Sequence, residues 1–395
     1  MELTSESGSH RQTTGCLFIC VWLVLLTQWF LPVVWFIRSF ILHAPNMQVP
    51  GWDFHEFWLA ARLALHGTVS QLPYPPTFLL AIAPVGLLPY PVAYASFCVL
   101  GISAFVVMQA TIAPGFARKH LLLLGANPAM SIALLAGQNS LFTAAAAGVA
   151  LALLQSNAVL AGACIASLIV KPQLGLLFPL ALICGRYWKV LAWSAVWTFS
   201  IVVASAAVFG IHAWTQFATH LSKFNGSYVE QGTWVWTATL TVFAACRLNG
   251  LSVATSYLVH GLVAAPAVMV MAYLWIRHAR FELRASALVI ATMLVPPYVM
   301  FYEVAWLVIP TLLIMRDAKA KKPTPIEWMA LIAASLMPLQ GTFTRWVDLF
   351  PWQLTPAVLI SLMTMVLYRH LATQPNTAAH DSQIRASLTT HCPDA

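Results

Sequence analysis

Residues 51–91 read GWDFHEFWLAARLALHGTVSQLPYPPTFLLAIAPVGLLPYP, and they combine two of the twelve acidic residues of the chain with a helical apolar pattern. Asp53 and Glu56 stand at the start of the stretch. Apolar side chains then recur at helical spacing, at Phe54, Phe57, Trp58, Ala61 and Leu65. This pattern predicts an amphipathic helix that lies on the outer surface of a membrane and leads, through prolines, into a second apolar run.

The composition of the chain indicates a polytopic membrane protein. Of its 395 residues 60% are hydrophobic and only 8% are charged, whereas soluble domains carry about 25% charged residues. The net charge of +8 comes from short basic clusters between apolar runs. Such clusters are typical of cytoplasmic loops that face anionic lipid, so the sequence argues against nucleic-acid binding. The cysteines form no Cys-x-x-Cys pair, and neither a disulfide framework nor a structural zinc site is predicted.

Hydropathy divides the chain into a cytoplasmic N-terminal tail (1–15), a transmembrane domain (16–370) and a polar cytoplasmic tail (371–395). The first extracytoplasmic loop covers about residues 42–75. The predicted apolar spans are 16–41, 91–112, 120–136, 140–155, 158–170, 174–185, 190–209, 252–276, 285–301, 304–315, 325–341 and 354–370. Two apolar runs, 76–88 and 235–248, are too short to place as spans.

The basic residues set the predicted orientation. One assignment puts every basic cluster on the same side: 118–119, 186–189, 277–284, 316–322 and Arg369. The positive-inside rule makes that side the cytoplasm. The loop with Asp53, the Gly-Gln-Asn triplet at 137–139, the loop 211–234, Glu303 and the segment 342–353 then face the opposite side.

Asp53 has two compatible interpretations. Its spacing to Glu56 is that of a capping box, with Asp53 as the N-cap of the helix. A carboxylate fixed at a helix start stays ionised, and it therefore also suits a general base that deprotonates an acceptor hydroxyl. Glu56 either supports Asp53, closes the cap, or joins Asp53 and His55 at a metal. Residues two apart on a helix point to different sides, so no metal site and no cofactor is predicted.

Lys171 is the most conspicuous cation, because it separates two short apolar segments. Pro172 is expected to open a new helix and to leave the Lys171 ammonium beside free amides, where a phosphate would bind. The alternative is a lysine that snorkels to the membrane surface. Arg62 and His66 either contact a lipid phosphate or form a basic face at the headgroups.

Three further polar groups interrupt the apolar pattern. Gln138 and Asn139 either recognise sugar hydroxyls or cap the next helix. Glu303, after Tyr302, stands at the end of a predicted span, and an ionisable residue there is a functional candidate. Arg345 pairs either with a phosphate or with Asp348.

Several short motifs together resemble glycosyltransferase family 87, a group of the GT-C superfamily typified by polyprenyl-phosphate-mannose-dependent α-mannosyltransferases. The motifs are Asp53-Phe54-x-x-Phe57-Trp58-x-Ala60-Ala61-Arg62, Tyr74-Pro75-Pro76, Pro84, Leu88-Pro89, Gly137-Gln138-Asn139, Ala161-Gly162, Lys171-Pro172-Gln173 and Tyr302-Glu303. The resemblance runs from about Trp52 to about Pro310. Glu303 departs from the family pattern, which has an aspartate after the tyrosine.

The resemblance implies an all-α GT-C-type bundle of roughly 10–13 transmembrane helices, with the catalytic carboxylate, Asp53, in the first extracytoplasmic loop. It also implies a polyprenyl-phosphate sugar as donor, and its motifs add Tyr74 and Gln173 to the substrate-binding candidates. The expected activity is transfer of a hexosyl group, by default mannosyl, to a lipid or glycan acceptor at the periplasmic face of a bacterial inner membrane. The alternative is a transporter or flippase of a polar lipid or glycan.

Overall fold

The computed structural model describes residue 37 and residues 50–67, 73–114, 127–347 and 353–373, without the side chains at 233–234 and 341–347. These residues are helical and include no β-strand; one isolated bridge pairs Thr239 with Met300. The α-helices are α1 (Trp52–Leu65), α2 (Pro76–Ile82), α3 (Tyr90–Ile112), α4 (Pro128–Ala136), α5 (Ser140–Leu153), α6 (Ala158–Ser167), α7 (Pro172–Gly175), α8 (Leu177–Cys184), α9 (Trp188–Phe209), α10 (Ile211–Phe224), α11 (Thr233–Ala238), α12 (Val242–Leu248), α13 (Val253–Ile276), α14 (Phe281–Leu294), α15 (Val308–Asp317), α16 (Pro325–Val347) and α17 (Thr355–Leu371). Short 3₁₀ segments cover Ala83–Leu87, Leu168–Val170 and Phe301–Leu307, and a π-helical turn covers Asn225–Glu230.

Where the structure describes the residues, the predicted apolar spans coincide with observed helices, but several of them are broken. The predicted span 174–185 consists of α7 and α8, and the predicted span 304–315 begins in a 3₁₀ segment. The predicted span 285–301 ends early, because α14 stops at Leu294 before Pro296 and Pro297. The runs 76–88 and 235–248 form α2 with its 3₁₀ extension and the pair α11 and α12. Several predictions lie outside the described residues: the first span apart from residue 37, the span 120–136 up to residue 126, the tails up to residue 15 and beyond 373, and the basic pair 118–119.

Three described helices are long and apolar enough to cross a membrane: α3, α9 and α13, with 22 to 24 residues each. At 1.5 Å per residue such a helix is about 33–36 Å long, which exceeds the roughly 30 Å hydrocarbon layer of a bilayer. Only 17–33% of their most apolar windows is buried inside the protein. Their remaining apolar surface is therefore available to lipid.

The long helices separate two ends of the molecule. At one end of α3, Tyr90 donates a hydrogen bond to the carbonyl of Pro50, 3.2 Å away, next to α1. At the other end, the carbonyl of Ile112 accepts a hydrogen bond from Arg316. The segment before α1 and the basic segment at 316–322 therefore lie about one membrane thickness apart.

The basic end is held together by buried ion pairs. Arg369, which is 0% exposed, lies 2.8 Å from Asp317 Oδ2 and 3.0 Å from Glu327 Oε2. Arg280 Nε lies 2.7 Å from the second oxygen of Asp317. These contacts bring together the basic segments around 280, 317–321 and 369, which the sequence assigns to one side.

Helix α1 packs against the protein through its apolar stripe. Phe54, Phe57 and Ala61 are buried, and they form a small core with Phe78 of α2 and Ala93 of α3. The opposite face carries exposed polar residues, as the sequence predicts, but Leu65 of the predicted apolar stripe is exposed, as are Leu59 and Leu63. This packing fixes α1, and with it Asp53, at the end of the bundle opposite the basic segments.

Candidate functional site

A cavity of about 520 Å³ opens at the end of the molecule that carries α1. This volume lies within the range of about 300–1,000 Å³ that is usual for small-molecule sites. One wall is polar and includes Asp53, Glu56, Gln138, Lys171, Gln173 and Glu303. The other wall is apolar and comes from Phe217, Leu221, Phe224 and Val229. The cavity therefore suits a molecule that has both a polar and an apolar part.

Asp53 lies in the first turn of α1 and lines the cavity. The capping-box prediction is wrong: the N-cap is Gly51, which adopts a left-handed φ of 77° and makes no side-chain cap, and Asp53 is the second helical residue. The carboxylate still benefits from the helix start, because the aligned peptide dipoles there favour negative charge. Asp53 is half-buried, so its carboxylate can meet a ligand.

Gln138 links Asp53 to the rest of the polar wall. Its amide nitrogen donates a hydrogen bond to Asp53 Oδ2 at 3.0 Å. Its amide oxygen accepts from Lys171 Nζ at 3.3 Å and lies 3.4 Å from the hydroxyl of Tyr74, which donates to it. Gln138 is 6% exposed, so these partners satisfy a buried amide.

Lys171 forms a buried ion pair with Glu303. Their charged atoms lie 2.9 Å apart, and the side chains are 5% and 1% exposed. Helix α7 begins at Pro172, as predicted, but it has only four residues. The Lys171 ammonium, which was expected to face a phosphate, donates a hydrogen bond to Glu303. The alternative in which Lys171 snorkels to the membrane surface is wrong, because the side chain is buried. A role in binding phosphate stays a prediction.

Glu303 is held from two sides. Its Oε1 accepts from Lys171, and its Oε2 accepts from the backbone N–H of Met300 at 3.0 Å. The residue, which the sequence placed at the end of a span, lies inside the 3₁₀ segment before α15 and is buried. Burial, together with the carboxylates of Asp53 and Glu303, raises the pKa of Tyr74 well above its ordinary value. Burial also raises the pKa of Tyr302, so both phenols stay neutral and can donate hydrogen bonds.

Comparison with protein families matches residues 72–297 to glycosyltransferase family 87, which is more than half of the chain. The chain belongs to glycosyltransferase family 87. The match includes Tyr74, Gln138, Lys171 and Gln173. Comparison with curated proteins and with solved structures gave no significant match.

Family 87 membership identifies the protein as a glycosyltransferase, and the three long apolar helices indicate that it is associated with a membrane. Such an enzyme acts on a sugar donor and an acceptor. Of the polar wall, Gln138, Lys171 and Gln173 lie within the matched residues 72–297. Asp53 and Glu303 lie outside the matched residues. Among the described residues no group of three or more His, Cys, Asp and Glu side chains is arranged to hold a metal ion.

The structure brings only some of the predicted site residues of this family 87 protein together. Glu56, Tyr74, Gln173 and Tyr302 join Asp53 at the cavity. Arg62 and His66 are exposed and do not line it; the Arg62 guanidinium lies 4.9 Å from the centre of the Trp58 ring.

Asn139 is a predicted residue that does not line the cavity. Asn139 stands at the N-cap position of α5 without a side-chain cap, and it lines a neighbouring apolar groove together with Phe97 and Phe142. Of the two alternatives for Asn139, the side-chain cap is therefore wrong, and recognition of sugar hydroxyls stays a prediction. The side chain of Arg345 lies outside the described part of the chain.

The apolar wall was not predicted from the sequence, because residues 211–234 were assigned to a loop. Helix α10 occupies much of that segment, and its Phe217, Leu221 and Phe224 face the cavity. The signal is present in the sequence, since apolar residues at Ile211, Trp214, Phe217, Leu221 and Phe224 follow helical spacing. The short length of α10 concealed it in a search for spans.

Proposed function

We propose that this family 87 protein transfers a hexosyl group from a polyprenyl-phosphate-linked donor to a hydroxyl of a lipid or glycan acceptor. Mannose is the first sugar to test. The observation that carries the proposal is the cavity itself, in which a carboxylate at a helix start faces a space with one polar and one apolar wall. A sugar would lie against the polar wall, and the first part of the lipid chain against α10.

Asp53 acts as the general base. Its carboxylate accepts the proton of the acceptor hydroxyl, and the resulting oxygen attacks the anomeric carbon of the donor. The bond between that carbon and the phosphate oxygen breaks, and the lipid phosphate leaves with the electron pair. The leaving group is already anionic, so it needs a nearby positive charge more than a proton.

Lys171 is the cation that the described wall offers to the leaving phosphate. An ammonium group has three donors. Within the described chain, one of them meets Glu303 and one meets Gln138, so the third remains for a ligand oxygen. Arg345 is a second candidate for this role, on a helix whose side chains are described only up to residue 340.

The proposed location is a bacterial inner membrane with the cavity at the periplasmic face. The basic segments gather at the end of the bundle opposite the cavity. Because basic segments are retained in the cytoplasm, this arrangement supports a cavity that faces outward.

The test is sugar transfer in proteoliposomes that contain the purified protein, radiolabelled polyprenyl-phosphate-mannose and extracted membrane lipids. Asp53→Asn removes the base and keeps the size of the side chain. We expect it to lower kcat about 10²–10⁴-fold, the usual contribution of a general base. The variant should keep the elution volume and melting temperature of the parent in detergent.

Glu56→Gln is the matched comparison, since Glu56 lines the same cavity on the same helix. It should retain more activity than Asp53→Asn. Full activity in Asp53→Asn with loss in Glu56→Gln would move the base to Glu56. A transporter would move the labelled donor across the bilayer in both variants without forming a new glycosidic product.

A further inference from the structure

Gln138 connects three ionisable groups that reach the cavity from distant parts of the chain. We infer that Gln138 is a positioning residue, whose amide holds the Asp53 carboxylate in a fixed orientation relative to the Lys171–Glu303 pair. This inference rests on the proposed role of Asp53 as the base. It adds a residue that controls the base without removing the proton itself.

The contacts determine which way the Gln138 amide points. An ammonium group can only donate hydrogen bonds, so the atom of Gln138 that faces Lys171 must be the oxygen. The neutral Tyr74 hydroxyl donates to the same oxygen. The amide nitrogen is then left to face Asp53, to which it donates at 3.0 Å. A flipped amide would set its N–H₂ group against the ammonium.

Backbone contacts hold the segment that carries Gln138 against the start of α1. Gly137, directly before Gln138, has a left-handed φ of 71° and ends α4. An added Cβ at Gly137 would lie 2.4 Å from Cβ of Phe54, so the turn is in close contact with α1. The N–H of Gly51 also donates to the carbonyl of Leu135 at 2.7 Å. The peptide segments that carry Gln138 and Asp53 are therefore fixed to each other.

The ionisable groups around Asp53 come from several elements. Glu56 stands on α1 itself, Tyr74 precedes α2, and Lys171 precedes α7. Tyr298, Tyr302 and Glu303 come from the segment between α14 and α15. Lys171 is the cation of this described set, and Glu303 already pairs with it.

Gln138→Glu is the decisive variant, because it is nearly isosteric and keeps an oxygen for Lys171 and Tyr74. It replaces the N–H donor at Asp53 with a second carboxylate. Two carboxylates at hydrogen-bond distance cannot both ionise easily, so the ionised base should form only at higher pH. We expect the acidic limb of the pH–kcat profile to move upward by about one pH unit or more.

Gln138→Leu tests orientation without added charge. We expect kcat to fall up to about 10²-fold, the effect of misplacing a catalytic group by about 1 Å, while KM for the donor stays within a few-fold of the parent. The acidic limb should move upward less than in Gln138→Glu, because this variant removes a donor from the ionised carboxylate but adds no like charge. A residue that only stabilised the fold would change the melting temperature without moving the pH profile.

Gln155→Glu is the charge control, since Gln155 is exposed and lies beside Tyr187, which contacts Arg284 at the basic end. It adds the same charge and should keep the parental profile. An unmoved acidic limb in folded Gln138→Glu, with an inactive Asp53→Asn, would overturn the positioning role and leave the base in place. An active Asp53→Asn would instead overturn the proposed function.

Discussion

The Lys171–Glu303 pair is the residue-scale feature that most constrains the site. Both side chains are buried, and the second oxygen of Glu303 accepts a backbone N–H. A buried pair adds little net stability compared with apolar residues, because both ions lose their hydration. Breaking it is costly, because one buried charge then has no partner. The pair therefore fixes the position of Lys171 more than it stabilises the fold.

We expect Lys171→Met to destabilise the protein by about 3–5 kcal/mol, because it leaves Glu303 charged and buried. The double variant Lys171→Met, Glu303→Gln removes the stranded charge and should recover most of that loss. Thermal unfolding of the purified proteins in detergent measures both effects. Equal melting temperatures for the parent and the single variant would contradict the buried pair.

The sequence identified these residues singly but not as a connected set. Asp53, Gln138, Lys171 and Glu303 stand out because polar groups are rare in an apolar chain. The hydrogen bonds that join them span 85, 33 and 132 positions. Such separations leave no local periodicity, so the pairing of Lys171 with Glu303 could be found only in the folded structure.

At the scale of elements, the junction of α4 and α1 decides where Asp53 lies. Gly137 ends α4 in a left-handed conformation that favours glycine, and Phe54 packs against it. Tyr94 of α3 adds a hydrogen bond to the carbonyl of Leu134 at 2.6 Å. A side chain at Gly137 would push α1 and the turn apart, and Asp53 would then leave Gln138.

We therefore expect Gly137→Ala to lose most of its sugar-transfer activity while the protein remains folded. The left-handed backbone alone costs about 1–2 kcal/mol for a residue with a Cβ. Gly250→Ala provides the control, since Gly250 has a φ of 79° and open space where the Cβ would stand. Both variants should lose similar backbone energy, and only Gly137→Ala should lose most of its kcat. Equal kcat values, normalised to folded protein, would show that the junction does not position Asp53.

Hydropathy predicts long elements well and short elements poorly. The predicted spans 91–112, 190–209 and 252–276 coincide with α3, α9 and α13 within two residues. These helices form from continuous apolar runs whose helical length exceeds the thickness of the hydrocarbon layer. The cavity is built from short or interrupted elements, including α7, α10 and the 3₁₀ segment with Glu303. Their bounds depend on tertiary contacts, which no window of sequence contains.

At the scale of the molecule, the helices place cavity and basic segments at opposite ends. The hydroxyl of Tyr257, near the start of α13, donates to Glu230 at 3.1 Å, next to the cavity wall. Near the end of the same helix, the Trp275 indole donates to the carbonyl of Arg284 at 2.8 Å. The positive-inside rule predicts that the basic end faces the cytoplasm, and the sequence alone was sufficient to propose this orientation.

The orientation predicts opposite labelling of two engineered cysteines. Ser227 is exposed beside the cavity, and Lys322 is exposed at the basic end. In intact spheroplasts of a bacterial host, a membrane-impermeant maleimide should label Ser227→Cys and spare Lys322→Cys. Permeabilising the membrane should make both cysteines reactive.

The seven native cysteines require a background in which they are replaced by serine or alanine. Transfer activity of that background verifies that the replacements preserve the site. Labelling of Lys322→Cys alone would reverse the orientation and place the cavity in the cytoplasm, where Asp53 would meet a different pool of acceptors. Labelling of both in intact cells would show that the two ends are not separated by the bilayer, against the roughly 33–36 Å length of the helices between them.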